Sequence, residues 1–103
     1  VDTVDWILLD TKVKYSFFIA NKDIKKDKSI FVYGYSNLVD QEIKNLNVDV
    51  LQNDIVIDSA KLLYNPLSGY YFCQFEAKKT GQHVLKIKDN NKLIDTININ
   101  IFN

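Results

Sequence analysis

His83 is the only histidine of this 103-residue chain and Cys73 its only cysteine. A histidine base works on a hydroxyl or thiol within hydrogen-bond reach, and a reactive thiolate needs exposure and a cationic neighbour. Both residues sit in segments that alternate between two environments. Cys73 lies in Gly69-Tyr70-Tyr71-Phe72-Cys73-Gln74-Phe75, and His83 lies in Gly81-Gln82-His83-Val84-Leu85-Lys86-Ile87. Such a period of two belongs to a half-buried strand. It puts Cys73 in phase with Tyr71 and Phe75, and His83 in phase with Leu85. The phase predicts a cysteine that packs as a small hydrophobe. It also predicts a histidine at the rim of the core with one ring nitrogen bonded to backbone. No nucleophile motif accompanies either residue, so no catalytic residue is assigned and no enzyme activity is expected.

Asp23/Asp27, Asn53/Asp54/Asp58 and Asp89/Asn90/Asn91 form oxygen-rich loops. Calcium takes six or more converging oxygens, and none of these runs has a recognised spacing. Capping of turns is their expected role. The three glycines, Gly34, Gly69 and Gly81, stand too far apart for a phosphate loop, and no His-Glu-x-x-His or Cys/His cluster occurs, so no cofactor or metal is expected. Glu42 and Glu76 are the only glutamates, and nothing marks a glycosidase pair. Basic and acidic residues balance at 13 each, and every basic one is lysine. A neutral chain without arginine lacks both a phosphate-neutralising patch and the planar fork that clamps phosphate, so nucleic acid is not an expected partner.

These residues need a scaffold, and 103 residues at 47% hydrophobic content suffice for one core and one domain spanning 1–103. A single cysteine forms no internal disulfide and there is no Asn-x-Ser/Thr sequon. Together these lean toward a reducing compartment, with a cell-surface fragment left open. No apolar run approaches the length of a membrane span. The absence of an initiator methionine or a signal-like start predicts a piece of a longer, multidomain protein.

Strand patterns recur along the chain. They are read at Val4–Leu9, Val13–Ala20, Ile30–Tyr35, Leu46–Val50, Ile55–Ile57, Ala60–Tyr64, Gly69–Phe75, Gly81–Ile87 and Leu93–Phe102. Polar Asn21–Ser29 reads as a loop, Gln52-Asn53 as a hairpin turn, Asp89–Lys92 as another turn, and Ser36–Asn45 as a long loop or a helical turn. Short strands with turn signals every 8–12 residues and no long helix predict an all-β antiparallel sandwich of seven to nine strands.

The spacing Gly69-x-Tyr71-x-Cys73-x-Phe75, a turn, then Gly81-x-His83-x-Leu85-x-Ile87 resembles immunoglobulin-like domains of the filamin-repeat kind. The likeness covers residues 12–102. It includes the aromatic strand Tyr15–Ile19, the polar loop after it and the aliphatic strand Ile30–Gly34. The last strand departs from that pattern, with Asp95-Thr96-Ile97 where filamin repeats carry Ser-Pro-Phe. The stretch from Gly34 to Gly69 is also longer than theirs. Gly69-x-Tyr71-x-Cys73 equally fits the sixth-strand signature of immunoglobulin domains, but no upstream cysteine completes it. The resemblance implies a non-enzymatic module for protein contact or spacing, in which a partner strand adds to an exposed sheet edge.

Alternation leaves an aromatic surplus. With Ile30, Val32 and Gly34 inward, Phe31, Tyr33 and Tyr35 form an outward stripe. With Tyr71, Cys73 and Phe75 inward, Tyr70 and Phe72 point out. An immunoglobulin-like arrangement would set that strand beside Tyr15–Ile19, so that Phe18, Tyr70 and Phe72 make a second patch on the opposite sheet. The six residues are the candidate binding site for a protein partner or neighbouring domain. The alternatives are a carbohydrate-binding sandwich, with the Phe31/Tyr33/Tyr35 stripe stacking on sugars, and an accessory domain of a larger enzyme.

Overall fold

The structure, a computed structural model, describes residues 15–36 and 46–103. Within them the chain forms β1 (Tyr15–Ile19), β2 (Asp23–Lys25), β3 (Ser29–Ser36), β4 (Leu46–Gln52), β5 (Ile55–Lys61), β6 (Leu63–Asn65), β7 (Tyr70–Glu76), β8 (Gly81–Asp89) and β9 (Lys92–Phe102). One sheet has the order β1-β3-β7-β6 and the other β2-β9-β8-β4-β5. The all-β sandwich expected from the sequence is present. The strand read at Val4–Leu9 and most of the segment read as a loop or helical turn, 37–45, lie outside the described residues.

The two sheets bury their alternate side chains against each other. Ile30 and Val32 of β3 and Tyr71, Cys73 and Phe75 of β7 face Val48 and Val50 of β4, Leu85 and Ile87 of β8, and Ile97, Ile99 and Ile101 of β9. Tyr15, Phe17 and Ile19 close this core along the β1 edge. Each fully buried aliphatic contributes about 1.5–3 kcal/mol of transfer free energy. Gly34 is paired with Phe17 across β1 and β3, and the Phe17 ring lies over it. A Cβ at Gly34 would stand 2.6 Å from Phe17 Cδ1, so the glycine makes room for the ring.

Both tight hairpins rely on asparagine and aspartate in the left-handed region. Asn53 and Asp54 have φ of 53° and 65°, and Asn90 and Asn91 have 50° and 72°. Two central residues of positive φ define a type I′ turn, whose twist matches the flanking strands. The first turn is therefore Asn53-Asp54, one residue beyond the Gln52-Asn53 read from sequence, with Gln52 paired to Ile55.

Two other readings are corrected. The polar stretch Asn21–Ser29 contains β2, which runs parallel to β9 and buries Ile24. A three-residue strand with one inward side chain has no alternation to read. Ala60–Tyr64 is not a separate strand: β5 runs to Lys61, buried Leu62 crosses between the sheets with its N–H on Leu46 O at 2.9 Å, and β6 begins at Leu63 in the other sheet.

Gly34→Ala is expected to destabilise the domain by about 1–3 kcal/mol, because the Phe17 ring must move. Leu85→Ala, at the centre of the core, is expected to cost about 2–5 kcal/mol. Urea midpoints of the two variants check both values.

Candidate functional site

Pairing within the four-stranded sheet decides where the outward rings go. Phe18 of β1 pairs with Tyr33 of β3, and Tyr33 pairs with Phe72 of β7. Phe31 lies one step along β3 opposite Gln74. The six rings therefore share one face. Phe18 stacks on Tyr33 with centroids 5.5 Å apart, and Tyr33 meets Phe72 at 5.3 Å. Phe31 stacks on Phe72 at 5.9 Å. Tyr70 meets Tyr35 at 6.0 Å and Phe18 at 6.3 Å, both edge-on. Offset-stacked and edge-to-face contacts at these separations are attractive beyond the area they cover, so the face is a connected layer of rings.

This replaces the two patches read from sequence. The strand carrying Tyr70 and Phe72 does not lie beside β1. Strand β3 stands between them, so the stripe Phe31/Tyr33/Tyr35 and the set Phe18/Tyr70/Phe72 merge on one sheet instead of facing opposite ways. Phe18, Phe31, Tyr35 and Tyr70 remain 39–45% exposed, whereas Tyr33 and Phe72, at the centre, are half-buried by their neighbours.

Along the β6 side the layer borders a groove of about 410 Å³, lined by Tyr33, Leu63, Tyr64, Asn65, Ser68, Tyr70 and Phe72. Leu63, exposed at the sheet edge, and the turn after β6 form its outer wall. Sequence reading missed this wall. The signal that would have found it is Leu67, an apolar residue set in the polar turn Asn65-Pro66-Leu67-Ser68-Gly69.

Charge is distributed unevenly between the two outer surfaces. Among the described residues, the remaining outward positions of the four-stranded sheet are Ser16, Ser29, Leu63, Asn65 and Gln74, and the one charged side chain is Glu76 at the end of β7. By contrast, the outer face of the five-stranded sheet carries Asp49, Lys86 and Lys88, with Lys88 Nζ 3.0 Å from Asp49. Burial there works against the Asp49 carboxylate. The Ser59 hydroxyl, donating at 2.8 Å, and the lysines outweigh it and hold the group below its ordinary range.

Cys73 and His83 sit in opposite sheets. Cys73 is buried, and burial pushes its thiol up to about 12, the reverse of what a nucleophile needs. His83 is 2% exposed with Nδ1 2.9 Å from Gly81 O. A carbonyl only accepts, so Nδ1 carries a proton, and Nε2 is buried without a hydrogen-bond partner in the protein. Tyr15 donates to Asp89 Oδ2 at 3.3 Å, and burial, followed by the Asp89 charge, raises its phenol to about 12. Among the described residues no three His, Cys, Asp or Glu side chains converge on a metal-sized site, and no helix is long and apolar enough to cross a membrane.

The strand order β1-β3-β7-β6 over β4, β8 and β9 matches the ABED and CFG sheets of an immunoglobulin sandwich. The chain is similar to an immunoglobulin-like protein from Pseudomonas aeruginosa known from a crystal structure. The TM-score is 0.53 at 11% sequence identity, over 90% of this chain and 94% of that one. At this identity the likeness is one of fold: the protein is an immunoglobulin-like β-sandwich. No protein-family model and no curated protein matches the sequence. In this frame β7 is the fifth strand, not the sixth, so Gly69-x-Tyr71-x-Cys73 is not the immunoglobulin sixth-strand signature.

A thiol reagent is expected to label Cys73 only after denaturation. The denatured thiol ionises near its ordinary value of 9.0 while the folded one holds its proton to about 12. The unfolded state therefore binds fewer protons at high pH, and stability should fall as pH rises from about 9 toward 12. Tyr15, raised from 10.0 to about 12, adds to the same alkaline loss. Denaturation midpoints between pH 8 and 11, compared with Cys73→Ala, isolate the thiol's share; a flat profile contradicts the buried assignment.

Proposed function

We propose that this domain is a non-catalytic binding module of a larger protein, and that the aromatic face of its four-stranded sheet is its contact surface for a protein partner or neighbouring domain. One observation carries the reading. A quarter of the chain is charged, yet among the described residues the outer face of this sheet presents linked aromatic rings, Leu63, small polar side chains and only a terminal Glu76. Interfaces are depleted of charge at their centre and enriched in tyrosine and phenylalanine, and a contiguous exposed apolar patch of this kind marks a contact site. The rim of serine, asparagine and glutamine with tyrosine at the centre resembles the composition of antibody paratopes, which bind by rigid rings and adaptable polar groups.

A sugar site would need free hydrogen-bonding side chains beside its platform. Asn65 and Ser68, the polar side chains at the groove, are each partly engaged within the turn. Asn65 Oδ1 accepts from Leu67 N at 2.9 Å, and Ser68 Oγ accepts from Tyr70 N at 3.3 Å. The filamin-like spacing of β7 and β8 agrees with a module that makes protein contacts.

Tyr35→Ala and Tyr70→Ala are expected to change stability by less than about 1 kcal/mol, as surface substitutions do, while weakening contact with the partner. Tyr33→Ala, under Phe18 and beside Phe72, should cost more than either. Denaturant midpoints measured beside Leu85→Ala decide the matter. If Tyr35→Ala and Tyr70→Ala fall as far as Leu85→Ala, the face is structural and not a contact surface.

A further inference from the structure

Leu67 is 97% exposed, the highest value for a large hydrophobic residue among the described residues. It is also held firmly. Gly69 N donates to Asn65 O at 2.8 Å, and Leu67 N donates to Asn65 Oδ1 at 2.9 Å. Pro66 fixes its own φ, and Gly69 takes φ of +78°, which side chains rarely adopt. An apolar side chain on a braced turn is presented at little entropic cost on binding. Asn65 and Ser68, on either side of it, line the groove of about 410 Å³. A knob and a hole therefore lie side by side on one surface.

That adjacency selects a partner. A two-fold interface uses the same patch on both copies, so each patch must hold both the protruding group and its receptor. A knob whose hole lay elsewhere on the molecule would instead build open chains. Resting on the reading of the aromatic face as a contact surface, we infer that its occupant is a second copy of this chain. Two domains pack their four-stranded sheets face to face about a two-fold axis, with Leu67 of each seated between Tyr33, Leu63 and Phe72 of the other.

Charge fits this arrangement. A surface that meets itself opposes each charge to its like, and among the described residues this face has none near its centre. Glu76 stands at the end of β7 remote from Tyr70 and Leu67. Area fits as well. At roughly 200 Å² per aromatic side chain, the exposures of 39–66% for the outer rings and Leu63, with Leu67 added, leave on the order of 600 Å² a side. Two such faces reach the lower bound of specific interfaces, about 1,200 Å² in total. An interface at this lower bound is expected to be reversible.

Sedimentation velocity on the 103-residue chain, from low to several hundred micromolar, tests this. The wild type is expected to pass from monomer to dimer across that range. Leu67→Asp is expected to weaken the dimer on the order of 100-fold or more, because a carboxylate would be buried unpaired. Its melting temperature should not change, since the wild-type side chain contacts almost nothing. Val56→Asp, exposed on β5 of the other sheet, should leave the dimer intact. In an equimolar mixture, Leu63→Cys and Leu67→Cys proteins should cross-link with each other faster than either does alone, Cys73 being buried. A wild type that stays monomeric throughout, a Leu67→Asp dimer as tight as wild type, or no preference in cross-linking overturns the proposal. If the wild type is monomeric while Tyr35→Ala keeps its stability, only the second copy is rejected and the contact face stands with another partner. If Tyr35→Ala unfolds as readily as Leu85→Ala, both readings fail together.

Discussion

The phase of β3 against β7 decides which side of this protein is aromatic. Val32 pairs with Cys73 and Tyr33 with Phe72, so inward and outward side chains alternate in step on neighbouring strands. A slip of one residue in either strand would send rings into the core and valine, isoleucine and cysteine into water. Both strands are fixed in phase because the inward set is small and branched on β3 and fills the space under Leu85 and Ile87. The outward set is too bulky for that space. Tyr71 and Phe75 are the large inward rings of the pair, and Tyr64 of β6 packs beside Tyr71 at 5.0 Å. The surface chemistry is thus a consequence of core packing.

The edges of the sheet are set by equally local chemistry. Gly34 lets Phe17 lie flat over β3, which holds β1 against the sandwich and brings Phe18 onto the outer face beside Tyr33. At the opposite edge Leu62 crosses from one sheet to the other, its N–H bonded to Leu46 O. That crossing places β6, with Leu63 and Asn65, beside β7 instead of beside β4. Without it the aromatic layer would have no wall and the groove would be a flat surface. Hydrogen bonds within the following turn are short-range, |i−j| of two to four, and they brace the wall where it meets solvent.

Much of this could be read from residues. Alternation identified β3, β7, β8 and the end of β9, and with them the inward places of Cys73 and His83 and the outward places of all six aromatic residues. Alternation says which way a side chain points relative to its own strand, but it does not say which strands are neighbours. Assigning the Tyr70–Glu76 strand to the side of β1 split one face into two, because nothing in the local pattern distinguishes the centre of a sheet from its edge. Strand β2 was invisible for a related reason. It is held by a parallel pairing with residues 100–102, far away in sequence, and its one buried side chain, Ile24, sits among lysines and aspartates. The Asn53-Asp54 turn was misplaced by one residue because Gln52 looks like a turn former, while its side chain reaches Thr80 O at 2.9 Å from within the strand.

An immunoglobulin-like sandwich does not determine a function, since the same scaffold carries unrelated sites. What distinguishes this chain is the contrast between its two outer faces. Both are exposed and built on strands of similar length, and both belong to a chain of zero net charge. One carries Asp49, Lys86 and Lys88, with exposed aliphatics at its β5 edge, and the other carries six linked rings. Solvation alone would make the faces alike. The turn after β6 adds a second departure from solvated design, because it uses Pro66, Gly69 and four side-chain or backbone hydrogen bonds to hold Leu67 in water. A loop that served only to connect β6 and β7 would gain nothing from an apolar residue at its tip. The two departures lie on the same side of the molecule and share Asn65, Ser68 and Tyr70, so one surface and one contact account for both.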